Sequence, residues 1–296
     1  MGRRYLTAGD YVFYTINGVI LVTFGVAALY PFLEVVFSSL SDAVTLTAHT
    51  GPLLRPAGFS VQGYLMAFQY RGLLTGYANT LYYVVVGTAL NVTVTGLLAY
   101  VLSTRALWKN VIMVMVVVTM FFQGGLIPRY LIVRSLGLLN TRWAVILPVV
   151  VNTFNLLIMR TFFQGIPDSL EESAKIDGAK SLTIFIRIIV PLSGPVIAVM
   201  TLYYGVAHWN SWFNAMIFLR DRSLYPLQLF LREILIQAAY GEATGSVEEM
   251  GAAYQNVNED ILRNAFIVIA TLPILCLYPF LQKYFVKGVM IGALKG

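Results

Sequence analysis

Charged residues are scarce in this sequence, and that scarcity excludes a soluble globular protein. Asp, Glu, Lys and Arg make up 11% of the 296 residues, whereas the surface of a soluble domain requires about 25%. Most of the outer surface must therefore face lipid. The formal net charge of +6 does not indicate nucleic acid, because the basic residues lie between apolar blocks rather than on one soluble face.

Cysteine and histidine are also rare, which excludes several kinds of site. Cys276 is the only cysteine, so the chain can form no internal disulfide and no zinc or iron–sulfur cage. The two histidines, His49 and His208, are too few and too poorly placed to bind a haem as a pair. We therefore predict no catalytic residue, no metal site and no cofactor in this chain.

Long apolar runs account for most of the sequence. A membrane-spanning helix needs about 20 largely apolar residues, and its backbone polar groups must be bonded inside the segment. Such windows predict an all-α, polytopic membrane protein with six transmembrane helices in a single domain over residues 1–296. The predicted spans are 12–37, 76–103, 111–128, 143–163, 191–218 and 264–282. Pro148 and Pro195 predict kinks in the fourth and fifth of them.

The distribution of basic residues orients these spans. If both termini are cytoplasmic, 11 of the 20 basic residues lie on the inner side, and every lysine is among them. Because cytoplasmic loops carry an excess of Lys and Arg, we expect both termini inside the cell. Residues 164–190 then form a polar inner loop between the fourth and fifth spans.

The inner loop contains its own helix signals. Pro167 favours a helix start, and Gly178 can adopt the left-handed conformation that ends a helix. Glu171 and Lys175 are spaced to pair one turn apart. Two pairs have the spacing of a capping box: Asp168 with Glu171, and Ser169 with Glu172. Because so short a helix is not stable alone in water, we expect a partner's groove to hold it; the alternative is an ordinary amphipathic surface helix.

The same loop contains the run Glu172-Ser-Ala-Lys-Ile-Asp-Gly-Ala, followed by Phe185, Ile188 and Val190-Pro191. This pattern resembles the EAA loop of permeases in type I ABC importers. Ser173 stands where the family usually has alanine, and it is small enough to keep the fit. The resemblance implies a coupling helix that docks on an ATP-hydrolysing subunit. The residues it implies in coupling are Glu171, Glu172, Ala174, Asp177, Gly178 and Ala179.

Further segments of the chain carry a wider resemblance, namely residues 136–141, 147–148, 209–210, 225–228 and 288–296. They are similar to sugar-importer permeases of the maltose type and, among them, to permeases for oligosaccharides and polysaccharide fragments such as alginate. This resemblance implies an inner-membrane complex with a dimer of ATP-binding subunits, a second homologous permease and an extracytoplasmic solute-binding protein. ATP and Mg would be held by the ATP-binding subunits, which the ending 288–296 would reach. The implied cargo is an oligosaccharide, acidic ones included.

Polar and aromatic side chains inside the fourth and fifth spans are candidates for a substrate pathway, because sugar sites combine aromatic faces with amide and hydroxyl groups. These candidates are Asn152, Asn155, Tyr203, Trp209, Asn210, Trp212 and Asn214. Polar residues in a bilayer face either a wet cavity or a neighbouring helix. Both interpretations stay open for the fifth span. For Thr88, Asn91 and Thr95 of the second span we favour hydrogen bonds between helices.

Two other classes of membrane protein fit the composition. An ion-coupled secondary transporter would place acidic residues deep within its spans, and the predicted spans contain none there. A membrane enzyme would need a nucleophile beside a base, and His208 is the only intramembrane candidate. A lone histidine is more often a packing or hydrogen-bonding residue.

Overall fold

A computed structural model describes residues 7–104, 108–122, 124–243 and 260–276, and most of them are helical. These ranges contain no β-strand, which confirms the predicted all-α class. The α-helices are α1 (Ala8–Ser39), α2 (Ala43–Ala48), α3 (Gln62–Gln69), α4 (Arg71–Tyr82), α5 (Thr88–Ser103), α6 (Lys109–Phe121), α7 (Leu126–Ser135), α8 (Arg142–Ile146), α9 (Thr153–Gln164), α10 (Asp168–Ile176), α11 (Ser181–Ile184), α12 (Val190–Leu192), α13 (Gly194–Trp209), α14 (Phe213–Phe218), α15 (Leu227–Ala243) and α16 (260–276). Two π-helical turns, Tyr83–Gly87 and Phe185–Ile189, join α4 to α5 and α11 to α12.

The chain divides into two compact units. Of the described residues, 7–70, 234–243 and 260–271 belong to the first, and those between 71 and 233 with 272–276 belong to the second. In the first unit, the side-chain amide of Asn264 donates to the Ser38 hydroxyl over 2.7 Å. The second unit contains α4 to α14 and every residue between 152 and 214 that is predicted to have a function.

Within the described ranges, two helical segments are long and apolar enough to cross a membrane without a break, Gly9–Ser39 and Arg71–Ser103. They overlap the first and second predicted spans. Three bent pairs of helices raise the number to five if each pair is one span. The sixth predicted span, 264–282, and the ending 288–296 extend outside the described residues. The total of six spans therefore stays a prediction.

The third predicted span, 111–128, contains a break in its helix near its end. α6 stops at Phe121, and α7 begins at Leu126 with its axis 117° from that of α6. Gly125 precedes α7 with a φ of +81°, a left-handed conformation that glycine adopts without a steric penalty. Apolar residues lie on both sides of this break, so hydrophobicity alone gives no sign of it.

The fourth predicted span, 143–163, is bent by 53° between Arg142–Val149 and Thr153–Gln164. Pro148 lies in the 3-10 turn just before the break, where its missing N–H interrupts the helical hydrogen bonds. Asn152 then caps α9, because its Oδ1 accepts a hydrogen bond from the backbone N–H of Asn155 over 3.1 Å. The kink predicted from Pro148 is confirmed.

The fifth predicted span, 191–218, is preceded by further helical structure and is bent near its start. Helical structure begins at Ser181, inside the predicted loop, and the segment Ser181–Leu192 meets Gly194–Trp209 at 86°. Pro195 stands in the first turn after this bend, a position that needs no N–H donor. The kink predicted from Pro195 is therefore confirmed.

Candidate functional site

α10 lies where the sequence predicts the short helix of the inner loop. It spans Asp168–Ile176 and follows Pro167, which occupies the N-cap position. The Pro167 carbonyl accepts a hydrogen bond from the Leu170 N–H over 3.2 Å, but its side chain offers no acceptor. The capping-box prediction is wrong, because Asp168 and Ser169 lie inside the helix instead of at its cap.

The C-terminal end of α10 has the geometry that Gly178 predicts. Gly178 has a φ of +81°, and its N–H donates to the Lys175 carbonyl over 3.0 Å. The N–H of Ala179 reaches back to the Ala174 carbonyl over 2.9 Å. These two bonds and the left-handed residue make a Schellman motif, which satisfies the last carbonyls of the helix and fixes the direction in which the chain leaves it.

One face of α10 is attached to the protein's own helices. Ala174 is buried in the core cluster formed by α5, α9 and α13. Glu171 and Lys175 form the predicted ion pair, with the Lys175 Nζ 3.0 Å from the Glu171 Oε1. The hydroxyl of Tyr100, near the end of α5, donates to the same Oε1 over 3.1 Å. Glu171 is therefore directed toward its own chain.

The opposite face of α10 is open. Ile176 has 86% of its surface exposed, and Glu172 and Asp177 are exposed beside it. The open face of α10 therefore presents one apolar side chain and two carboxylates. Of the residues predicted to couple, Ala174 is buried, Glu171 and Ala179 are half-buried, and Glu172, Asp177 and Gly178 are exposed.

A cavity of about 330 Å³ lies among α5, α9, α13 and α14. The residues that line it are Asn91, Val149, Asn152, Asn155, Tyr204, Ala207, His208, Asn210, Ser211, Trp212, Phe213 and Asn214. Five of the residues predicted for a substrate pathway are thus brought together, namely Asn152, Asn155, Asn210, Trp212 and Asn214. No Asp or Glu occurs among these described lining residues.

Tyr203 and Trp209 lie elsewhere. Tyr204 reaches the cavity in place of Tyr203, because neighbouring residues of a helix point about 100° apart. Trp209 lines a second, largely apolar cavity of about 720 Å³ beside α5 and α13. Sequence reasoning missed Tyr204 and His208, although their spacing of one helical turn places both on the face that carries Ser211.

Hydrogen bonds between helices hold the cavity wall. The side-chain amide of Asn91 donates to the Val149 carbonyl over 2.8 Å. The Thr95 and Tyr204 hydroxyls lie 2.8 Å apart, and the Tyr204 oxygen accepts from the Asn152 N–H over 3.1 Å. Bonding between helices is therefore confirmed for Asn91 and Thr95. The buried hydroxyl of Thr88 has no hydrogen-bond partner within the described ranges.

His208 is buried beside Asn91, with its Nε2 3.2 Å from the Asn91 Oδ1. Because the Asn91 amide nitrogen donates to a carbonyl, its oxygen is the atom that accepts from His208, which assigns the proton to Nε2. The His208 ring lies directly against Gly87, the last residue of the π-helical turn before α5. A side chain at residue 87 would overlap the ring.

Trp212 contributes an aromatic ring to the cavity lining, and this ring is in contact with a cation, the Arg232 guanidinium. The guanidinium carbon of Arg232 lies 4.3 Å from the centre of the Trp212 ring. Arg232 also points an N–H at the sulfur of Met216 over 2.7 Å. A cation at this distance from an indole is held by the ring's quadrupole, so Trp212 and Arg232 fix one another's position.

Several proteins are similar to this chain over nearly its whole length. The polygalacturonan/rhamnogalacturonan transport system permease protein YtcP of Bacillus subtilis (strain 168) is 41% identical over 281 residues, which cover 93% of this chain and 96% of that protein. Protein LplC of the same organism is 40% identical over 291 residues, covering 98% and 97%. A crystal structure of a bacterial ABC transporter involved in the import of the acidic polysaccharide alginate matches with a TM-score of 0.85 and 31% identity, covering 95% of this chain and 99% of that chain.

Residues 60–291 match the sequence family described as the inner membrane component of binding-protein-dependent transport systems. Members of this family are permease subunits, and the ATPase of such systems is a separate subunit. Neither an enzyme nor an ion-coupled transporter fits this family. With residues 60–291 matched and two relatives at least 40% identical over more than nine-tenths of the chain, the protein belongs to the permease subunits of binding-protein-dependent ABC importers.

Proposed function

We propose that this permease imports acidic oligosaccharides, built from uronic acids, across the bacterial inner membrane. YtcP is named for polygalacturonan and rhamnogalacturonan, and the alginate importer for another acidic polysaccharide. Other relatives are named for uncharged sugars, among them the arabinooligosaccharide permease AraQ of Halalkalibacterium halodurans, at 27% identity. The cargo class therefore rests on the more similar relatives together with the chemistry of the cavity.

The single observation that carries this proposal is the lining of the cavity of about 330 Å³. The side chains of Asn155 and Asn214 supply amide donors and acceptors for sugar hydroxyls, and the Trp212 ring supplies a face for the C–H groups of a pyranose. Such a site binds a sugar in a fixed orientation without any charged group in direct contact. A cavity of this volume suits about one or two sugar units at a time, so a longer chain would be threaded through it.

The charges near the cavity favour an anion. The described lining residues include no carboxylate, and the Arg232 guanidinium carbon lies 4.3 Å from the centre of the Trp212 ring. In a site of low dielectric, a fixed cation within about 10 Å of a uronate carboxylate stabilises it, whereas a carboxylate in the wall would repel it. A neutral oligosaccharide gains nothing from this arrangement.

The energy for import comes from ATP hydrolysed on the partner subunits, which hold ATP and Mg. In the proposed complex, α10 docks by its exposed face on one of two ATP-binding subunits at the cytoplasmic side. A second homologous permease completes the pathway, and an extracytoplasmic binding protein delivers the sugar. Both termini of this chain lie in the cytoplasm. Closing the ATP-binding subunits moves α10 and changes the packing of the helices around the cavity.

The experiment is sugar uptake by the complete importer, reconstituted in proteoliposomes with its binding protein and ATP-binding subunits. We expect uptake of trigalacturonate to exceed that of maltotriose by at least about tenfold, in line with the loss of a charge interaction of more than about 1.4 kcal/mol. Equal uptake of both sugars would refute the preference for acidic cargo. Uptake of neither sugar by a complex that hydrolyses ATP would also refute the proposed acidic cargo.

A further inference from the structure

We infer that Tyr100 is a positioning residue through which movement of α10 reaches the cavity. This inference rests on the proposed function, in which α10 follows the ATP-binding subunits. The inference gives Glu171 a different role from the one that the sequence implies. Glu171 binds Tyr100 of the protein's own α5, so contact with the ATP-binding subunit falls to the exposed Glu172.

The contact between α5 and α10 is specific. The Tyr100 hydroxyl donates to the Glu171 Oε1 over 3.1 Å, and 6% of Tyr100 is exposed. The Tyr100 ring packs on the Phe185 ring with 5.3 Å between their centres. Because this packing restricts the ring, the hydroxyl is aimed at Glu171 rather than free to sample other partners.

Glu171 is held from its other side as well. Its Oε1 also receives the Lys175 ammonium at 3.0 Å, and its side chain is 19% exposed against 55% for Lys175. A hydrogen bond from a hydroxyl to an ionised carboxylate is stronger than one between neutral groups. The ion pair lies within α10, whereas the Tyr100–Glu171 hydrogen bond joins that helix to α5.

α5 itself connects this contact to the cavity. It is an unbroken helix from Thr88 to Ser103, so the nine helical steps from Asn91 to Tyr100 separate these two residues by about 14 Å along the axis. Asn91 bonds to Val149 and His208, and Thr95 bonds to Tyr204, all within the cavity wall. A rigid helix bonded at both ends transmits a displacement of one end to the other.

The test uses the thiol chemistry of the whole importer and does not depend on the sugar. Cys276 is the only cysteine, so Cys276→Ser removes every thiol of this chain, and Ala207→Cys then places one in the cavity wall. In nanodiscs with the binding protein, trapping with ATP and vanadate is expected to change the rate of labelling by a water-soluble thiol reagent at least threefold. Adding Tyr100→Phe, which removes only the hydroxyl, should abolish most of that change while vanadate trapping persists.

Further variants distinguish a loss of coupling between α10 and the cavity from a general loss of folding. Glu171→Gln keeps an acceptor for Tyr100 and should retain most of the response, whereas Glu171→Ala should lose it. Combining Glu171→Ala with Tyr100→Phe should cause no further loss, because both remove the same contact. Lys175→Ala breaks the ion pair only and should respond like the parent.

The inference is wrong if Tyr100→Phe responds like the parent, if Lys175→Ala is as damaging, or if the parent itself shows no response. Loss of the ATP-binding subunits from the Tyr100→Phe complex would also refute it, since the residue would then be needed for docking. A parent that responds but imports no trigalacturonate contradicts the proposed cargo alone and leaves the role of Tyr100 intact.

Discussion

His208 and Asn91 meet in the cavity wall with 3.2 Å between Nε2 and Oδ1, and Gly87 leaves the space that the His208 ring fills. The space exists because residue 87 has no side chain at the end of a π-helical turn. A π-helical turn adds one residue to a helix and shifts the face that the following residues present. The close approach of α13 to the segment before α5 therefore depends on one small residue.

Gly87→Ala should destabilise the protein by about 1–3 kcal/mol, because the new methyl group overlaps the His208 ring and forces the helices apart. The loss can be measured as a lower unfolding temperature of the purified permease. Gly25→Ala, in α1 with no neighbouring atom within 4 Å, is the matched control. Adding His208→Ala to Gly87→Ala should recover part of the loss, and failure to do so would show that the clash lies elsewhere.

Asn140→Ala should also destabilise the second unit. Asn140 has a φ of +59°, and its Oδ1 accepts from the N–H groups of Arg220 and Asp221 at 2.9 and 2.8 Å. The substitution removes this acceptor and places alanine in the left-handed region, which costs about 1–2 kcal/mol for the backbone alone. The unfolding temperature should be highest for Asn140→Asp, lower for Asn140→Gly and lowest for Asn140→Ala. An alanine variant as stable as the aspartate would contradict this account.

Gly178→Ala should weaken the end of α10 by about 1–2 kcal/mol, entirely through the backbone, because no atom lies within 4 Å of the added methyl group. The expected consequence is less ATP-binding subunit retained when the permease is purified from cells that express the complex. Gly194→Ala is the control, since its neighbourhood is equally open and its φ is not left-handed. Equal losses in both variants would exclude the Schellman motif as the cause.

Glu172→Ala should reduce retention of the ATP-binding subunit about tenfold, whereas the neighbouring Ser173→Ala should have no effect. Both residues are exposed on α10, so neither change should alter the stability of the permease alone. An exposed carboxylate at an interface with a basic partner contributes through a charge pair that Ser173 cannot form. If the two variants behave alike, the open face of α10 is not the docking surface.

Trp212→Ala should lower the apparent affinity for trigalacturonate by about tenfold, because it removes both the ring face and the position of Arg232. Trp212→Phe should keep more than half of the uptake. Trp143→Ala is the control, since Trp143 is a partly exposed tryptophan outside the cavity lining. Unchanged uptake by Trp212→Ala would place the sugar elsewhere in the complex.

The sequence predicts α10 well because its boundaries depend on local chemistry. Gly178 specifies the left-handed end, and Glu171 and Lys175 specify a pair that needs only helical spacing. The capping box fails because Pro167, one residue earlier, starts the helix first. Local sequence features thus predict that a helix is present. Its first residue depends on whether Pro167 or one of the two following polar residues occupies the N-cap position.

The cavity was only partly predictable. Asparagines one turn apart inside apolar runs mark a polar wall, and five of seven candidates line the cavity. Tyr203 and Trp209, the other two candidates, do not line this cavity. The bend at Ser193 and the end of α13 at Trp209 determine which face of α13 lies against the cavity, and neither residue is on that face. The Asn91–His208 contact joins residues 117 positions apart, and no pattern within either helix specifies it.

The 86° bend at Ser193 affects how force is directed through the bundle. The segment before the bend carries Phe185, which packs on Tyr100, while the segment after it carries Tyr204 and His208 in the cavity wall. With the two axes nearly perpendicular, a push along the first segment is directed sideways across the second. A small axial stroke from a motor protein would therefore widen or narrow the passage instead of sliding its wall lengthwise.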